Sequence, residues 1–333
     1  VVFDYWNLSK VFITFIGSCL YFSSKRYDKV YFDLILKTVQ FIVIISFLLF
    51  IINNFINLDL SYGVRYGFKC YKFIYSGPGI LSQYCAQFLL ILTIGNSYRR
   101  DYFNRFAIVL CLVVWACTMR TRSFMMIIIY IFIWFLLFKK HTDMNSKSLK
   151  KIKKIFRLDR LLIIGFFGLL IGKSQIEVYF GKHVTSARSL LLEYGLSTMN
   201  KYFPIGSGFA TFGTESAARY YSPLYYRYNM HTFWALSENG TELTDCYWPA
   251  IAAEFGFIGL ILFVMLIIWT LKHMIKISSK NKYMLFACIY YIFYLLISST
   301  STGIFNSYIT LEFIFIFVAL TIRSESKSTR YEK

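Results

Sequence analysis

The chain has 333 residues, of which 57% are hydrophobic and 20% aromatic, while only 16% are charged. A soluble fold of this length cannot bury so much apolar surface, whereas a lipid bilayer solvates it, so the composition excludes an ordinary soluble class. The formal net charge of +19 fits either nucleic-acid binding or a membrane-topology signal, and the placement of the basic residues distinguishes the two.

A hydrocarbon core about 30 Å thick needs about 20 apolar residues per helix. Apolar stretches near this length predict about nine spans, at residues 8–23, 38–56, 79–96, 104–119, 122–138, 161–178, 248–270, 284–301 and 304–322. The predicted fold class is therefore an all-α, polytopic integral membrane protein with a single membrane domain over 1–333. Because the chain begins at Val1 without Met or a signal-peptide pattern, we also expect an N-terminal truncation that removes earlier helices.

The basic residues are unevenly divided between the segments that join these helices. With the C-terminal tail placed in the cytoplasm, the segments on that side carry about two-thirds of the 36 Lys and Arg residues in little more than a third of the connecting length. The positive-inside rule predicts this asymmetry. The densest run, residues 139–160, is interpreted as an anchor beside anionic lipid headgroups, with a nucleic-acid or regulatory site as the alternative.

One long hydrophilic segment, residues 173–247, falls on the other side of the membrane under this topology. Its length favours a functional role over a simple connection. Pro204 is followed by Gly206, Gly208 and Gly213, which predicts a tight turn whose backbone N–H groups face an anion or a sugar, although ordinary loops also need such turns.

Arginine and aromatic side chains are concentrated in the same loop. Its arginines carry planar guanidinium groups suited to phosphate, and they are Arg188, Arg219 and Arg227. For Arg188 the alternative is a structural ion pair with Glu193. The aromatic side chains offer flat faces for stacking on sugars, or form a belt at the membrane interface. They are Tyr220, Tyr221, Tyr225, Tyr226, Tyr228 and Trp234.

Two further segments on this side are basic against the general bias. Residues 57–78 contain Arg65 and two lysines, and Arg120 and Arg122 lie between the fourth and fifth predicted helices. A cation between apolar helices is costly without a partner. Lipid phosphates would supply one, and a bound pyrophosphate would be held better, because arginine forms two parallel hydrogen bonds with it.

The seven cysteines do not indicate a disulfide framework. Five fall within predicted helices, where a thiol behaves as a small apolar group. Cys70 and Cys246 lie in the predicted external loops, and a bridge between them is geometrically allowed but has no support in the sequence. No Cys or His spacing indicates zinc, and no external acidic pair has metal-ligand spacing.

Several sequence runs resemble a known family. They extend from Arg188 through FPIGSGFATFG at 203–213 to YSPLY at 221–225, and include DCYWP at 245–249 followed by EFGFIG at 254–259. These runs resemble the polysaccharide repeat-unit polymerases of the Wzy type, within the O-antigen ligase and polymerase superfamily.

The Thr-Arg-Ser step at 121–123 and Arg65 ahead of Gly77 and Pro78 resemble the other external arginines of this family. Together the matching runs cover most of residues 60–265, in the family's order and topology.

The resemblance implies a GT-C-like helical glycosyltransferase in the bacterial cytoplasmic (inner) membrane, with a cytoplasmic C-terminus and the large loop outside. Such an enzyme transfers a growing glycan from undecaprenyl pyrophosphate to a lipid-linked repeat unit of O-antigen, capsule or exopolysaccharide. The implied partners are the lipid-linked oligosaccharide and membrane lipids, with a chain-length regulator as a further candidate and no nucleic acid. The family is regarded as independent of metals, and no cofactor is expected.

The resemblance also implies roles for particular residues. Arg188 is expected to stabilise the pyrophosphate leaving group. The expected substrate-binding residues are Arg65, Arg120, Arg122, Arg219, Arg227, Gly206, Gly208 and Tyr225. Asp245 stands where the ligases of the superfamily carry a His, and it is either the general base for the acceptor hydroxyl or a helix N-cap. Glu254, about two turns into the following helix, is expected to orient the loop.

Two other functions are compatible with the sequence. An O-antigen ligase performs the same chemistry on a different acceptor, and Asp245 in place of His favours the polymerase. A transporter of lipid-linked oligosaccharide is the second alternative. Transporters carry polar residues at the bilayer midplane and repeated halves, whereas the predicted spans hold few acidic residues, among them Glu254 and Glu312, and no repeat is visible.

Overall fold

The computed structural model describes residues 29–98, 101–138, 186–278 and 282–300, with isolated positions before residue 21 and between residues 304 and 310. The helices are α1 (Lys29–Ile56), α2 (Pro78–Tyr98), α3 (Tyr102–Ala116), α4 (Thr121–Phe138), α5 (Ala187–Lys201), α6 (Glu215–Arg219), α7 (Pro223–Arg227), α8 (Tyr247–Ser278) and α9 (Lys282–Ser299). The strands are β1 (Ser61–Arg65) and β2 (Phe68–Tyr71), and two 3-10 turns cover Met230–Thr232 and Trp234–Leu236.

Six of these helices coincide with predicted membrane spans, namely α1 to α4, α8 and α9. Four of the six contain stretches long and apolar enough to cross a membrane, at Phe32–Ile56, Pro78–Asn96, Tyr247–Ile275 and Lys282–Ser299. Helices α3 and α4 are apolar but shorter. The described part of the chain is thus a mostly helical, membrane-embedded protein.

Some predicted segments lie outside the described residues. These are the span 161–178, the basic run 139–160, the first part of the long loop at 173–185, half of the span 8–23 and most of the span 304–322.

The chain divides into two compact units. The hairpin unit comprises Ser18–Ile171, Met274–Tyr294 and Ile316–Lys333. The loop unit comprises Val1–Gly17, Gly172–His273 and Leu295–Phe315. Helices α8 and α9 each contribute to both units.

Buried amides connect three helices of the hairpin unit. Gln40 of α1 donates to the side-chain oxygen of Asn104 of α3 at 3.0 Å, and the Asn104 amide donates to Asn96 of α2 at 2.9 Å. Asn104 also donates to the carbonyl of Leu92 at 2.7 Å. Because lipid is as apolar as a helix surface, such polar contacts help to specify which faces of the helices pack together.

The segment 57–78 forms an antiparallel hairpin, so the expectation of an all-α fold is wrong here. Strands β1 and β2 pair Arg65 with Phe68, leaving a two-residue turn. The turn residues Tyr66 and Gly67 have φ angles of 53° and 80°, and a two-residue turn with positive φ at both positions matches the twist of the strands. The Tyr-Gly pair between short runs of strand-forming residues was the available sequence signal.

The hairpin packs on the connection between α3 and α4. The Tyr71 N–H donates to the Cys117 carbonyl at 2.9 Å. The hydroxyl groups of Tyr66 and Thr121 are hydrogen-bonded at 3.2 Å. The two basic segments predicted to share one side of the membrane therefore meet at one end of the hairpin unit.

The other end of α4 meets the start of α9 in the same unit. The Lys282 ammonium lies 4.5 Å from the ring centroid of Phe138, and the Tyr283 ring lies 4.9 Å from that centroid. The end of α4 and the start of α9 therefore lie together in the hairpin unit.

The loop unit has its own apolar core, built from short helices and turns. Fully buried side chains come from segments far apart in sequence, including Leu191 of α5, Phe212, Tyr225 of α7, Leu236 and Ala253 of α8. Residues 186–247 of the long loop therefore form a folded structure.

The hairpin turn gives a testable prediction. An added Cβ at Gly67 meets no atom within 4 Å, but the φ of +80° is unfavourable for any L-residue with a side chain. Gly67→Ala should therefore destabilise the hairpin by about 1 kcal/mol, which is about a fivefold loss of protection against amide hydrogen exchange in β2. Exchange is measured by mass spectrometry on the protein in detergent.

Gly77→Ala is the matched control, because its Cβ also meets no atom within 4 Å and its φ is not positive. Equal loss of protection in both variants would contradict the assigned turn.

Candidate functional site

Helix α5 positions Arg188 at the edge of the loop unit. Ser186 caps the helix, since its hydroxyl accepts the Ser189 N–H at 3.2 Å and the Ser189 hydroxyl accepts the Ser186 N–H at 3.1 Å. This reciprocal capping fixes the first helical turn. Arg188 lies in that turn, where the helix dipole disfavours a cation unless an anion is close.

The anion is Asp245, which precedes α8. Arg188 Nη2 donates to Asp245 Oδ2 at 3.0 Å, and the two side chains are 21% and 34% exposed. The Asp245 N–H donates to the Glu242 carbonyl at 3.1 Å, which fixes the turn that carries the carboxylate. The sequence suggested Glu193 as the ionic partner, whereas the structure gives Arg188 a carboxylate 57 residues away. A half-buried pair of this kind keeps its geometry while remaining within reach of a ligand.

The N-cap interpretation of Asp245 does not fit the structure. Helix α8 begins at Tyr247, so Cys246 occupies the preceding position and Asp245 lies one residue further out. Its carboxylate accepts a hydrogen bond from Arg188. The assignment of Asp245 as a general base stays a prediction.

The neighbouring thiol of Cys246 is not suited to nucleophilic chemistry. Burial raises its pKa to about 11, and the Arg188 guanidinium only partly opposes that shift. The thiol is therefore protonated at neutral pH. Cys70 and Cys246 are both free, so the bridge considered between them is not formed.

Helix α8 is interrupted at Gly256. The loop of residues 204–213, which carries Gly206, Gly208 and Gly213 and is called the glycine loop below, lies against this break. Gly256 has φ 65° and ψ −162°, which is outside the helical region. In an unbroken helix the Ile258 N–H would donate to the Glu254 carbonyl. Here Ile258 donates to the Pro204 carbonyl at 3.2 Å, and the Glu254 carbonyl accepts the Gly208 N–H at 3.0 Å. The backbone groups that the break leaves without helical partners are thus hydrogen-bonded to the loop.

The side chain of Glu254 holds the next part of the same loop. Its Oε1 accepts the N–H groups of Thr211 at 2.9 Å and Phe212 at 3.1 Å, and the hydroxyl of Thr214 at 2.9 Å. Glu254 is 3% exposed. A buried carboxylate is stable only when such donors replace water. This confirms the expectation that Glu254 orients the loop.

The glycine loop therefore does not offer the N–H groups that the sequence suggested. The Gly206 N–H donates to the Tyr202 carbonyl at 2.9 Å, and the Ser207 N–H donates to the Ala253 carbonyl at 2.8 Å. The Gly208 N–H donates to the backbone carbonyl of Glu254, as described above. The expected mechanism for Gly206 and Gly208, donation to an external anion, is replaced by donation within the chain. The anion that this loop surrounds is Glu254.

Tyr225 is a core residue, which corrects its assignment as a stacking surface for a sugar. It is fully buried, its hydroxyl accepts the Gly213 N–H at 2.8 Å, and its ring packs edge-on against Phe212 at 5.7 Å. Of the aromatic side chains predicted for stacking, Tyr220, Trp234 and Tyr226 face outward and are 80%, 76% and 47% exposed.

The loop unit has a cluster of neighbouring side chains, formed by Tyr226, Glu238 and His231, that the sequence did not predict. The Tyr226 hydroxyl donates to Glu238 Oε1, and this hydrogen bond raises the pKa of Tyr226. The His231 ring centroid lies 5.4 Å from that of Tyr226. Glu238 and His231 carry no local motif, and only the two 3-10 turns bring them to Tyr226.

The remaining predicted arginines of the loop unit lie at helix ends. Arg219 and Arg227 occupy the last turns of α6 and α7, where a cation interacts favourably with the helix dipole. Both are exposed. Arg227 Nη1 donates to the Tyr202 hydroxyl at 2.8 Å.

Arg65, Arg120 and Arg122 belong to the hairpin unit, where they lie at the end formed by the hairpin. Arg65 precedes Tyr66, whose hydroxyl is hydrogen-bonded to Thr121, the residue between the other two arginines. Arg122 Nη2 donates to a carbonyl at the start of α2 at 3.4 Å. The structure thus gathers these arginines at one end of the hairpin unit, and it joins Arg188 to Asp245 in the loop unit.

Among the residues that the structure describes, no cluster of three or more His, Cys, Asp or Glu side chains is arranged to hold a metal ion. Comparison with known proteins gave no match to any family model, curated protein or solved structure.

The Glu254 contacts predict a large stability effect. Glu254→Ala leaves the buried Phe212 N–H and the partly buried Thr211 N–H without their acceptor, so it should lower the free energy of unfolding by about 3 kcal/mol or more. It should also expose the 206–214 loop to proteases. Thermal unfolding in detergent and limited proteolysis measure the two effects.

Glu193→Ala removes an exposed carboxylate and serves as the control. A Glu254→Ala protein as stable and protease-resistant as this control would contradict the role assigned to Glu254.

Proposed function

We propose that this chain is a lipid-carrier-dependent glycosyltransferase of the polysaccharide polymerase type. It transfers a growing glycan from undecaprenyl pyrophosphate to the terminal sugar of a lipid-linked repeat unit. The observation that carries the proposal is the half-buried pair of Arg188 and Asp245, at 3.0 Å, in the loop that resembles the Wzy polymerases. An O-antigen ligase would use the same pair on a different acceptor.

The pair supplies the two functions that the reaction needs. The acceptor hydroxyl forms a bond to the anomeric carbon, and the bond from that carbon to the pyrophosphate oxygen breaks. Asp245 takes the hydroxyl proton as general base. Arg188 stabilises the charge that develops on the departing pyrophosphate, because guanidinium groups bind phosphate through paired N–H donors.

The other arginines supply further contacts to the phosphates in this proposal. Arg219 and Arg227 do so from the loop unit, and the substrate-binding role expected of Arg65, Arg120 and Arg122 stays a prediction from the sequence. A pyrophosphate carries several oxygens, and clustered arginine forks bind it better than isolated lysines.

The proposal includes the finer topology: about nine spans, a GT-C-like helical fold, the bacterial inner membrane, a cytoplasmic C-terminus and the long loop outside. The uneven distribution of Lys and Arg supports the sidedness in this arrangement.

A transporter is disfavoured by the way the helix break is used. Broken helices in transporters free backbone groups that bind the substrate or its coupling ion. At Gly256 the freed carbonyl groups of Ala253 and Glu254 accept from Ser207 and Gly208 instead. The break therefore holds the loop in place.

A charge exchange tests Arg188. Arg188→Ala should abolish long polymer when the full-length protein is expressed in a polymerase-null strain, because the leaving group loses its cation. The double variant Arg188→Asp/Asp245→Arg restores an ion pair but reverses the two chemical roles, so polymer should stay absent. Polymer length is measured on gels.

Arg105→Ala, which removes an exposed arginine at the start of α3, is the control and should give normal polymer. Recovery of long polymer by the double variant would show that the pair is purely structural, and the proposed mechanism would be wrong.

A second substitution tests Asp245 separately. Asp245→Asn keeps the size and the acceptor oxygen for Arg188 but cannot take a proton, so the transfer rate should fall by about 100-fold or more. The rate is measured with purified protein and lipid-linked repeat unit, alongside thermal unfolding. A normal rate would exclude Asp245 as the base and leave the role of Arg188 open to its own test.

A further inference from the structure

A short turn of the loop unit exposes large apolar side chains. Phe203 and Ile205 are 67% and 73% exposed, although they lie in the hydrophilic loop 173–247. They flank Pro204, whose carbonyl is bound by Ile258 of α8 at 3.2 Å. The turn therefore has a fixed position on the helix, and its exposure is a property of the folded structure.

The turn lies against the point where α8 becomes apolar on its outer surface. The Phe203 and Phe257 ring centroids are 6.1 Å apart. Phe257 and Ile258 are themselves 47% and 50% exposed. Together the turn and the helix form one continuous exposed apolar surface, which a soluble protein rarely presents to water.

The environment of α8 changes at Gly256. Before it, Ile251, Ala252 and Ala253 are buried in the loop unit. After it, exposed apolar side chains predominate as far as Trp269. These are Phe257, Ile258, Ile261, Leu262, Val264, Met265, Leu266, Ile268 and Trp269.

The part of α8 after the break is long enough to cross the membrane by itself. From Phe257 to Ile275, at 1.5 Å per residue, it spans about 28 Å, close to the hydrocarbon thickness of about 30 Å. Lys272, which is exposed near its other end, suits the opposite interface. Phe257 and Ile258 therefore stand at one edge of the hydrocarbon core, and the turn stands beside them.

We propose that Phe203 and Ile205 insert into the lipid bilayer at this edge, so that the turn anchors the loop unit to the membrane surface. The occupant of the exposed apolar surface is lipid acyl chain, because the surface continues the lipid-facing side of a membrane-crossing helix. Lys201, exposed just before the turn, lies where its ammonium reaches headgroup phosphates.

The anchor also sets the height of a cation above the membrane. Tyr202, next to the turn, accepts a hydrogen bond from Arg227 at 2.8 Å. Insertion of the turn therefore holds Arg227 at headgroup level, where lipid-linked phosphates lie. The anchor itself does not depend on the glycosyltransferase proposal.

The test places an environment-sensitive nitrobenzoxadiazole dye on a single introduced cysteine. The full chain carrying Ile205→Cys is labelled and reconstituted in vesicles of phosphatidylethanolamine and phosphatidylglycerol, with and without lipids that carry a shallow doxyl quencher. Leu262→Cys, 60% exposed on α8, is the lipid-facing control. Thr241→Cys, exposed among polar residues, is the water-facing control, and the unmodified chain measures background labelling.

Insertion predicts that the dye at 205 has a blue-shifted emission like that at 262, and severalfold stronger doxyl quenching than the dye at 241. Emission and quenching equal to those at 241 would overturn the proposal. Blue-shifted emission without doxyl quenching would also overturn it, since the turn would then be covered by protein.

Discussion

The buried carboxylate of Glu254 is the interaction on which the loop unit depends. A carboxylate removed from water is costly unless donors replace its hydration. Here the chain supplies the N–H groups of Thr211 and Phe212 and the hydroxyl of Thr214. These donors come from one short loop, so satisfying the charge also fixes the path of that loop over α8.

The order imposed by Glu254 extends outward to the predicted functional side chains. Thr214 is also the N-cap of α6, where its hydroxyl accepts the Ala217 N–H, and α6 carries Arg219 in its last turn. Gly213 follows Thr211 and Phe212, the two residues whose N–H groups bind Glu254. Its own N–H donates to the Tyr225 hydroxyl at 2.8 Å, and Tyr225 holds α7 in the core. The carboxylate thus determines the positions of short helices that are too small to be stable alone.

The interruption of α8 joins the part of the helix that carries Glu254 to the part with exposed apolar side chains. Gly256 lets α8 pass from a buried segment in the loop unit to an outward-facing apolar segment, while the backbone of 204–208 takes over the hydrogen bonds that the break releases. Backbone groups near a bilayer must be satisfied within the protein. An irregular loop is therefore tolerated beside the apolar part of α8, because its backbone pairs with the helix at the break.

The sequence predicted the long elements well and the short ones poorly. Helices α1, α2, α8 and α9 follow from apolar runs whose length matches a membrane, and α3 and α4 follow from shorter apolar runs. That signal is local. The hairpin at 61–71 was missed, because two strands of four or five residues compete weakly with the surrounding helical pattern. Its docking on Cys117 and Thr121 is a contact that no local pattern encodes.

For the candidate site, the sequence identified residue types, and the fold decided which of them face outward. Glycine spacing at 206–213 correctly indicated a tight turn, but it could not show that the N–H groups of this turn donate to acceptors within the chain. Tyr225 and Tyr220 belong to the same aromatic run, yet one is fully buried and the other 80% exposed. Burial depends on contacts with distant segments, so composition cannot distinguish them.

By itself, the sequence determined that this is a helical membrane protein with a long hydrophilic loop, because hydrophobic length and charge asymmetry are properties of contiguous residues. Only the tertiary structure decided that Arg188 pairs with Asp245 and that the Glu254 carboxylate accepts the N–H groups of Thr211 and Phe212. Each of these contacts joins residues more than 40 positions apart. Such partners are selected by the packing of the whole unit and by the requirement that buried charges find donors.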